Sequence, residues 1–107
     1  MEHPNLTFIQ KLAGADTEFQ NQLIGILKQE FPLEKKKFEH YLEHNNYKEL
    51  AEIVHKLKHK ISLLGLEEGV KIASMFENEI KKEKLNLLSE FQNILTNIDT
   101  FLKQLNQ

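Results

Sequence analysis

The feature that most constrains the fold of this 107-residue chain is the spacing of its apolar residues, which recur every three or four positions. This spacing places side chains on one face of an α-helix. The most regular segment is the last one, where the apolar positions are Leu88, Phe91, Leu95, Ile98, Leu102 and Leu105. No segment shows the period-two alternation of a half-buried strand. The sequence therefore predicts an all-α fold.

Turn and capping residues divide the first half of the chain into two helices. A short apolar stripe from Leu6 to Leu12 stops at Gly14, a residue type that often ends a helix. Asp16 is suited to cap the next helix, in which Phe19 and later apolar residues recur at helical spacing. Pro32 lacks a backbone donor, so that helix is predicted to kink or break there before continuing as one long, bent element.

The second half of the chain is predicted to contain three more helices. One begins near Tyr47, where Asn46 and Glu49 have the spacing of a capping box, and ends at Gly65. The next begins near Leu66, and the regular apolar segment described above forms the last. Because every connection is short, sequential helices are expected to be antiparallel neighbours. We therefore expect an up-down antiparallel four-helix bundle with a short extra N-terminal helix.

Composition and charge exclude several classes of protein. The length suits a single domain over residues 1–107, and the absence of cysteine excludes disulfides and thiolate metal sites. A net charge of −2 argues against nucleic-acid binding. No apolar run approaches the roughly 20 residues that span a membrane, and the N-terminus does not resemble a signal peptide. We expect a free-standing, monomeric protein in the cytoplasm.

The stretch from Leu50 to Leu64, within the helix that is predicted to begin near Tyr47, carries the candidate functional residue, His55. On a helical wheel the buried side contains Leu50, Ile53, Val54, Leu57, Ile61 and Leu64. His55 falls on roughly the opposite side, together with Ala51, Glu52, Lys58, His59 and Ser62. An exposed imidazole is mostly uncharged at neutral pH and keeps a free ring nitrogen, so it can act as a nucleophile. An exposed histidine without a role is the alternative.

The neighbours of His55 on this face suit an anionic reaction partner. Lys58, at i+3, can bring its ammonium group beside an anion carried on the ring. Ala51 and Ser62 have little bulk, which leaves room for another protein to dock. Residues 55–60 contain three lysines, two histidines and no acid.

His55 and Lys58 belong to a longer sequence pattern that extends to Glu77. The pattern H-x-L-K-x(6)-G-x(7)-A-x(3)-E is formed by His55, Leu57, Lys58, Gly65, Ala73 and Glu77. It resembles the histidine-containing phosphotransfer (HPt) domain of bacterial phosphorelays. The segment from Leu12 to Phe19, the Phe31-Pro32 pair and the short turn before the histidine helix are also similar to that family.

The resemblance implies a phosphocarrier without kinase activity of its own. His55 would accept a phosphoryl group from the aspartate of one receiver domain and pass it to another. The partners would be receiver domains of response regulators or hybrid histidine kinases, which would supply Mg²⁺, so the chain itself is expected to bind no cofactor. Lys58 would offset phosphoryl charge, and Gln29 would hold one ring nitrogen, although a plain surface glutamine is the alternative. Gly65 and Glu77 are interpreted as structural, the first turning the chain and the second bracing the helix pair.

One position departs from the family pattern. Glycine usually follows the motif lysine, but this chain has His59, and Lys60 stands where a small residue is usual. His59 is therefore expected either to crowd the docking surface or to add a second donor to the phosphoryl group.

Two other functions are compatible with the sequence. His59 would suit an adaptor that docks a receiver or kinase without carrying phosphate. The i,i+4 pairs His55/His59 and His40/His44 suggest a metal-binding bundle. Counting back from the Asn45-Asn46 turn, however, puts the two pairs a full turn out of register, and no native metal site is expected.

Overall fold

The computed structural model describes residues 2–105, which form five α-helices and, within that range, no strand. The helices are α1 (Thr7–Ala13), α2 (Thr17–Glu43), α3 (Tyr47–Leu63), α4 (Glu67–Lys81) and α5 (Leu88–Gln104). Helices α2 to α5 form a four-helix bundle, and α1 is the short additional helix at the N-terminus. The predicted fold class is confirmed. No helix in this part of the chain has the length and apolar character needed to cross a membrane.

The core is a continuous apolar cluster to which all five helices contribute. Its centre contains three fully buried phenylalanines, Phe38 of α2, Phe76 of α4 and Phe91 of α5. Their ring centroids lie 5.1 to 6.5 Å apart in tilted and edge-on arrangements. Such aromatic pairs add about 0.5–1.5 kcal/mol each to the stabilisation that comes from burial alone. The six residues predicted for the inner face of α3 are all buried.

Helix α2 continues through Pro32 without a break, so the predicted single long element is confirmed and the alternative of a break at that residue is wrong. Proline removes one hydrogen bond, which leaves the carbonyl oxygen of Lys28 without its helical partner. Pro32 itself is exposed, so its ring does not occupy the core. Phe19 and Ile26 are 44% and 48% exposed, and their helical spacing does not reflect a place in the core.

The ends of the helices follow the predicted signals in most cases. The Asp16 side chain accepts a 2.9 Å hydrogen bond from the Phe19 amide and caps α2. Asn46 is the N-cap residue of α3, but its side chain makes no capping bond, so the predicted capping box is wrong. Gly65 lies just beyond α3 with φ +77°, and its amide donates to the carbonyl of Ser62. That left-handed conformation favours glycine and closes the helix.

The N-terminal segment lies against the turn that joins α3 to α4. The two carboxylate oxygens of Glu2 accept hydrogen bonds from the amides of Glu68 and Gly69, at 2.8 and 3.0 Å, in the first turn of α4. The Asn5 amide donates to the carbonyl of Leu64 at 2.9 Å. Residues 2–5 therefore stabilise the turn between α3 and α4, the two helices that carry the candidate site.

Candidate functional site

The His55 ring lies on the outer face of α3, with half of its side chain exposed. Its Nδ1 atom is 3.1 Å from Oε1 of Glu77, which α4 presents from the neighbouring helix. A carboxylate accepts hydrogen bonds and does not donate them, so this contact places the ring proton on Nδ1. The lone pair then resides on Nε2. The arrangement selects the tautomer in which Nε2 is the nucleophilic nitrogen.

Glu77 is the centre of a small charge network between the two helices. The same Oε1 atom accepts a hydrogen bond from Nζ of Lys58 at 3.3 Å, and Oε2 lies 3.5 Å from Nζ of Lys81. Burial of Glu77 by itself would raise the pKa of its carboxyl, but the hydrogen bonds from His55 and Lys58 and their charges outweigh burial and hold that pKa below its usual range. Glu77 is therefore a carboxylate near neutral pH.

The predicted bracing role of Glu77 agrees with its bonds across the helix pair, but its partner is the candidate phosphoacceptor itself. Glu77 therefore contacts His55 directly in addition to joining the two helices. The available signal was the offset of 22 residues between Glu77 and His55 in the motif. A contact between two helices depends on the direction in which the imidazole leans, and that direction is not encoded in the spacing along either helix.

His59 lies beside the nitrogen that Glu77 leaves free. Its Nε2 atom is 3.4 Å from Nε2 of His55, and the two ring centroids are 5.1 Å apart. Because Nε2 of His55 carries no proton in the tautomer described above, His59 is the donor in this contact. The residue that departs from the family pattern is therefore in contact with Nε2 of the candidate phosphoacceptor, His55.

Ala51 and Ser62, the two residues that the helical wheel of α3 predicts for the docking surface, have different environments. Ser62 is exposed, as expected. Ala51 is only 5% exposed, so its predicted place on the open face is wrong. Helix α4 packs against that flank of α3, and Ala51 lines the recess between the helices beside His55, Glu77 and Ile80. Its small side chain leaves this recess open.

Gln29 does not hold the His55 ring. The neighbouring residue Glu30 contacts Lys60, which lies more than a turn beyond His55 along α3. Both ring nitrogens contact other side chains, namely those of Glu77 and His59. Gln29 is exposed, which agrees with the alternative of a plain surface glutamine. Counting residues back from a turn ignores how the two helices are rotated about their axes, so it does not identify the partner of the ring.

Metal ligands are not grouped in the part of the chain that the structure describes. Within residues 2–105, no three side chains of His, Cys, Asp or Glu converge on one point. The second histidine pair is at the end of α2, where Nδ1 of His44 lies 2.9 Å from the carbonyl oxygen of His40. That contact uses one of the ring nitrogens that a metal ion would need.

Fold and site together define a class: a helical bundle with an exposed, tautomerically fixed histidine on an outer helix face. The sequence model of the Hpt domain matches residues 22–107, which is more than half of the chain. The chain therefore belongs to the Hpt domain family. Membership supports a phosphotransfer-related role in two-component signalling, in which Hpt domains act as phosphocarriers and interact with receiver domains and kinases. Neither curated proteins nor solved structures give a significant match.

Proposed function

We propose that this chain relays a phosphoryl group between the aspartates of receiver domains through a phosphohistidine at His55. The observation that carries the proposal is the 3.1 Å contact between Nδ1 of His55 and Oε1 of Glu77. It directs the lone pair of the ring to Nε2, on a side chain that is half exposed.

The reaction needs no group beyond the two proteins and the metal ion of the receiver. The lone pair of Nε2 attacks the phosphorus of the receiver's aspartyl phosphate. A nitrogen–phosphorus bond forms as the acyl oxygen–phosphorus bond breaks, and the aspartate leaves as a carboxylate. Transfer to a second receiver is the reverse of this step. The receiver supplies Mg²⁺, which neutralises phosphoryl charge during each transfer.

Glu77 and Lys58 support opposite charges in this mechanism. As Nε2 forms its bond to phosphorus, positive charge develops on the ring, and the Glu77 carboxylate at Nδ1 stabilises it. Lys58 lies one turn from His55, and its ammonium group is bound to Glu77 in the resting chain. Once this ammonium group releases Glu77, it offsets the negative charge of the phosphoryl group. Neither residue exchanges a covalent bond with the phosphoryl group.

An exposed apolar stripe on α2 is proposed as part of the receiver-docking surface. Phe19, Ile26 and Leu33 are 44–56% exposed and recur every seven residues, so they lie along one face of the helix. Ile26 and Leu33 are one turn to either side of Glu30, which contacts Lys60 of α3. The stripe therefore adjoins α3, the helix that carries His55. Ile26→Ser is expected to weaken receiver binding without unfolding the chain, because Ile26 is outside the core.

The direct test is transfer of radioactive phosphate from a panel of phosphorylated receiver domains, with Mg²⁺, to the wild type, His55→Ala and His40→Ala. His40 is a matched control, since it is also an exposed helical histidine one turn from a second histidine. Acid-labile, base-stable label is expected on the wild type and on His40→Ala, and none on His55→Ala. Label that persists on His55→Ala would refute the assignment of the phosphoacceptor.

A non-catalytic adaptor is the second candidate, and the contact between His59 and Nε2 of His55 favours it. A side chain that covers the nucleophilic nitrogen can slow its attack. Tight binding of a receiver by the wild-type chain, with no label from any receiver in the panel, would establish the adaptor in place of the carrier.

A further inference from the structure

Two side chains near His55 can donate to a phosphoryl group, and the structure places them at different ring nitrogens. Nζ of Lys58 is held by Oε1 of Glu77, the same atom that binds Nδ1 of the ring. Nε2 of His59 instead lies 3.4 Å from Nε2 of His55, the atom proposed to carry phosphate. The family's lysine is therefore on the Nδ1 side, and the histidine in the family's glycine position is already at the reactive nitrogen.

Helix geometry explains why His59 reaches this place. Side chains on a helix lean toward its N-terminus, so residues at i+3 and i+4 lean back over residue i. Lys58 and His59 have these offsets from His55 and lie over its two sides. Lys58 is directed toward α4, where Glu77 binds it, and it is less than one quarter exposed. His59 is exposed and has space to withdraw outward when Nε2 gains a substituent.

We propose that His59 is the first side chain of this protein to bind the phosphoryl group on His55, and that it shifts the transfer equilibrium toward the phosphorylated chain. This inference rests on the phosphotransfer function proposed above. In the resting chain His59 donates its Nε2 proton to Nε2 of His55. After transfer, the same N–H group donates to a phosphoryl oxygen, and no charge on His59 is required because both the neutral Nε2–H tautomer and the imidazolium are donors.

This role differs in a measurable way from simple crowding. A bulky side chain that only obstructs the docking surface slows transfer in both directions and leaves the equilibrium unchanged. A donor to the phosphoryl group stabilises the phosphorylated chain and therefore changes the equilibrium, because the anionic oxygens accept stronger hydrogen bonds than the neutral ring nitrogen does.

Three substitutions separate these roles, with His40→Ala as the matched control. His59→Ala removes ring and donor, His59→Phe keeps a ring of similar size without the donor, and His59→Gln keeps an N–H donor without the ring. The measurement is the equilibrium ratio of phosphorylated chain to phosphorylated receiver, using the receiver that transfers best to the wild type. Loss of one hydrogen bond to an exposed charged group is expected to lower this ratio by about three- to tenfold in the alanine and phenylalanine variants. The ratio for the glutamine variant is expected to remain within about twofold of the wild-type ratio. The ratio for the His40→Ala control is expected to equal that of the wild type.

Equal equilibrium ratios in the wild type, His59→Ala and His59→Phe would overturn the inference. Faster transfer to His59→Ala alone, at an unchanged ratio, would establish crowding in its place. Thermal unfolding of each variant shows whether the fold is intact.

A second measurement does not depend on a receiver. The ¹⁵N-labelled chain is phosphorylated with phosphoramidate, and the imidazole nitrogen signals of His59 and His40 are followed by NMR. Phosphorylation of His55 is expected to shift the His59 signals and to leave those of His40 in place. Unchanged His59 signals on a chain phosphorylated at His55 would also overturn the inference. Failure of the proposed phosphotransfer function would give a different result from failure of this inference, because the wild type would then accept no phosphate from any receiver.

Discussion

Replacement of Gly65 by alanine is expected to destabilise the fold at the turn that leads from α3 to α4. Gly65 has φ +77°, a conformation that costs a non-glycine residue about 1 kcal/mol. A Cβ atom there would approach Nδ2 and Oδ1 of Asn5 to 2.6 and 2.8 Å, so the Asn5 side chain would have to move. Its Oδ1 accepts a 3.1 Å bond from the Thr7 amide at the start of α1, and loss of that bond costs about another 1 kcal/mol. We expect a total of about 2 kcal/mol.

Urea unfolding followed by circular dichroism measures this loss directly, as a lower midpoint at an unchanged slope. A double-mutant cycle with Asn5→Ala separates the two contributions. In the Asn5→Ala background the Gly65→Ala substitution is expected to cost only the backbone part, about 1 kcal/mol. An identical cost in both backgrounds would refute the steric argument. A total loss below about 0.5 kcal/mol would refute both parts of the reasoning.

Three other substitutions test separate features of the structure. Glu77→Gln is expected to lower the unfolding free energy at neutral pH. The difference from the wild type is expected to shrink as the pH falls below 4.5, because a carboxyl whose pKa is lowered by folding stabilises the fold only while it is ionised. Urea unfolding at a series of pH values measures this difference. A difference that grows toward low pH would contradict the assignment. Gly25→Ala in the exposed, open part of α2 is expected to raise the unfolding free energy by about 0.5–1 kcal/mol, seen as a higher Tm. Glu2→Ala is expected to lower it by about 1 kcal/mol, because the amides of Glu68 and Gly69 lose their acceptor; protection of those amides in hydrogen exchange gives a local readout.

The parts of the fold that depend on local sequence were predictable. Helical spacing identified the inner face of α3 and placed His55 on the outer face, and Gly65 was correctly read as the end of that helix. The long element through Pro32 is confirmed, and a break there does not occur, because burial of four apolar side chains along the same helix outweighs the loss of one backbone hydrogen bond. These side chains are Ile24, Leu27, Phe31 and Phe38.

The parts of the site that depend on two helices were predicted less well. Ala51 is covered by α4, and a wheel drawn for one helix cannot show how wide a flank its neighbour covers. The ring nitrogen assigned to Gln29 on α2 is held instead by Glu77 on α4. To choose between these two partners one must know how α2, α3 and α4 are each rotated about their axes. Residue spacing within a single helix gives no information on these rotations.

The attachment of residues 2–5 to the α3–α4 turn has a consequence for the kinetics of a carrier. Because this attachment and Glu77 both join the same helix pair, the imidazole is oriented before a partner arrives. A docking protein then spends no conformational entropy on ordering the nucleophile, and the reacting atoms can align within a brief encounter. A carrier that relays phosphate between two receivers, as proposed above for this chain, must also leave each of them. Orientation supplied by the fold allows fast chemistry in complexes that bind weakly and dissociate quickly.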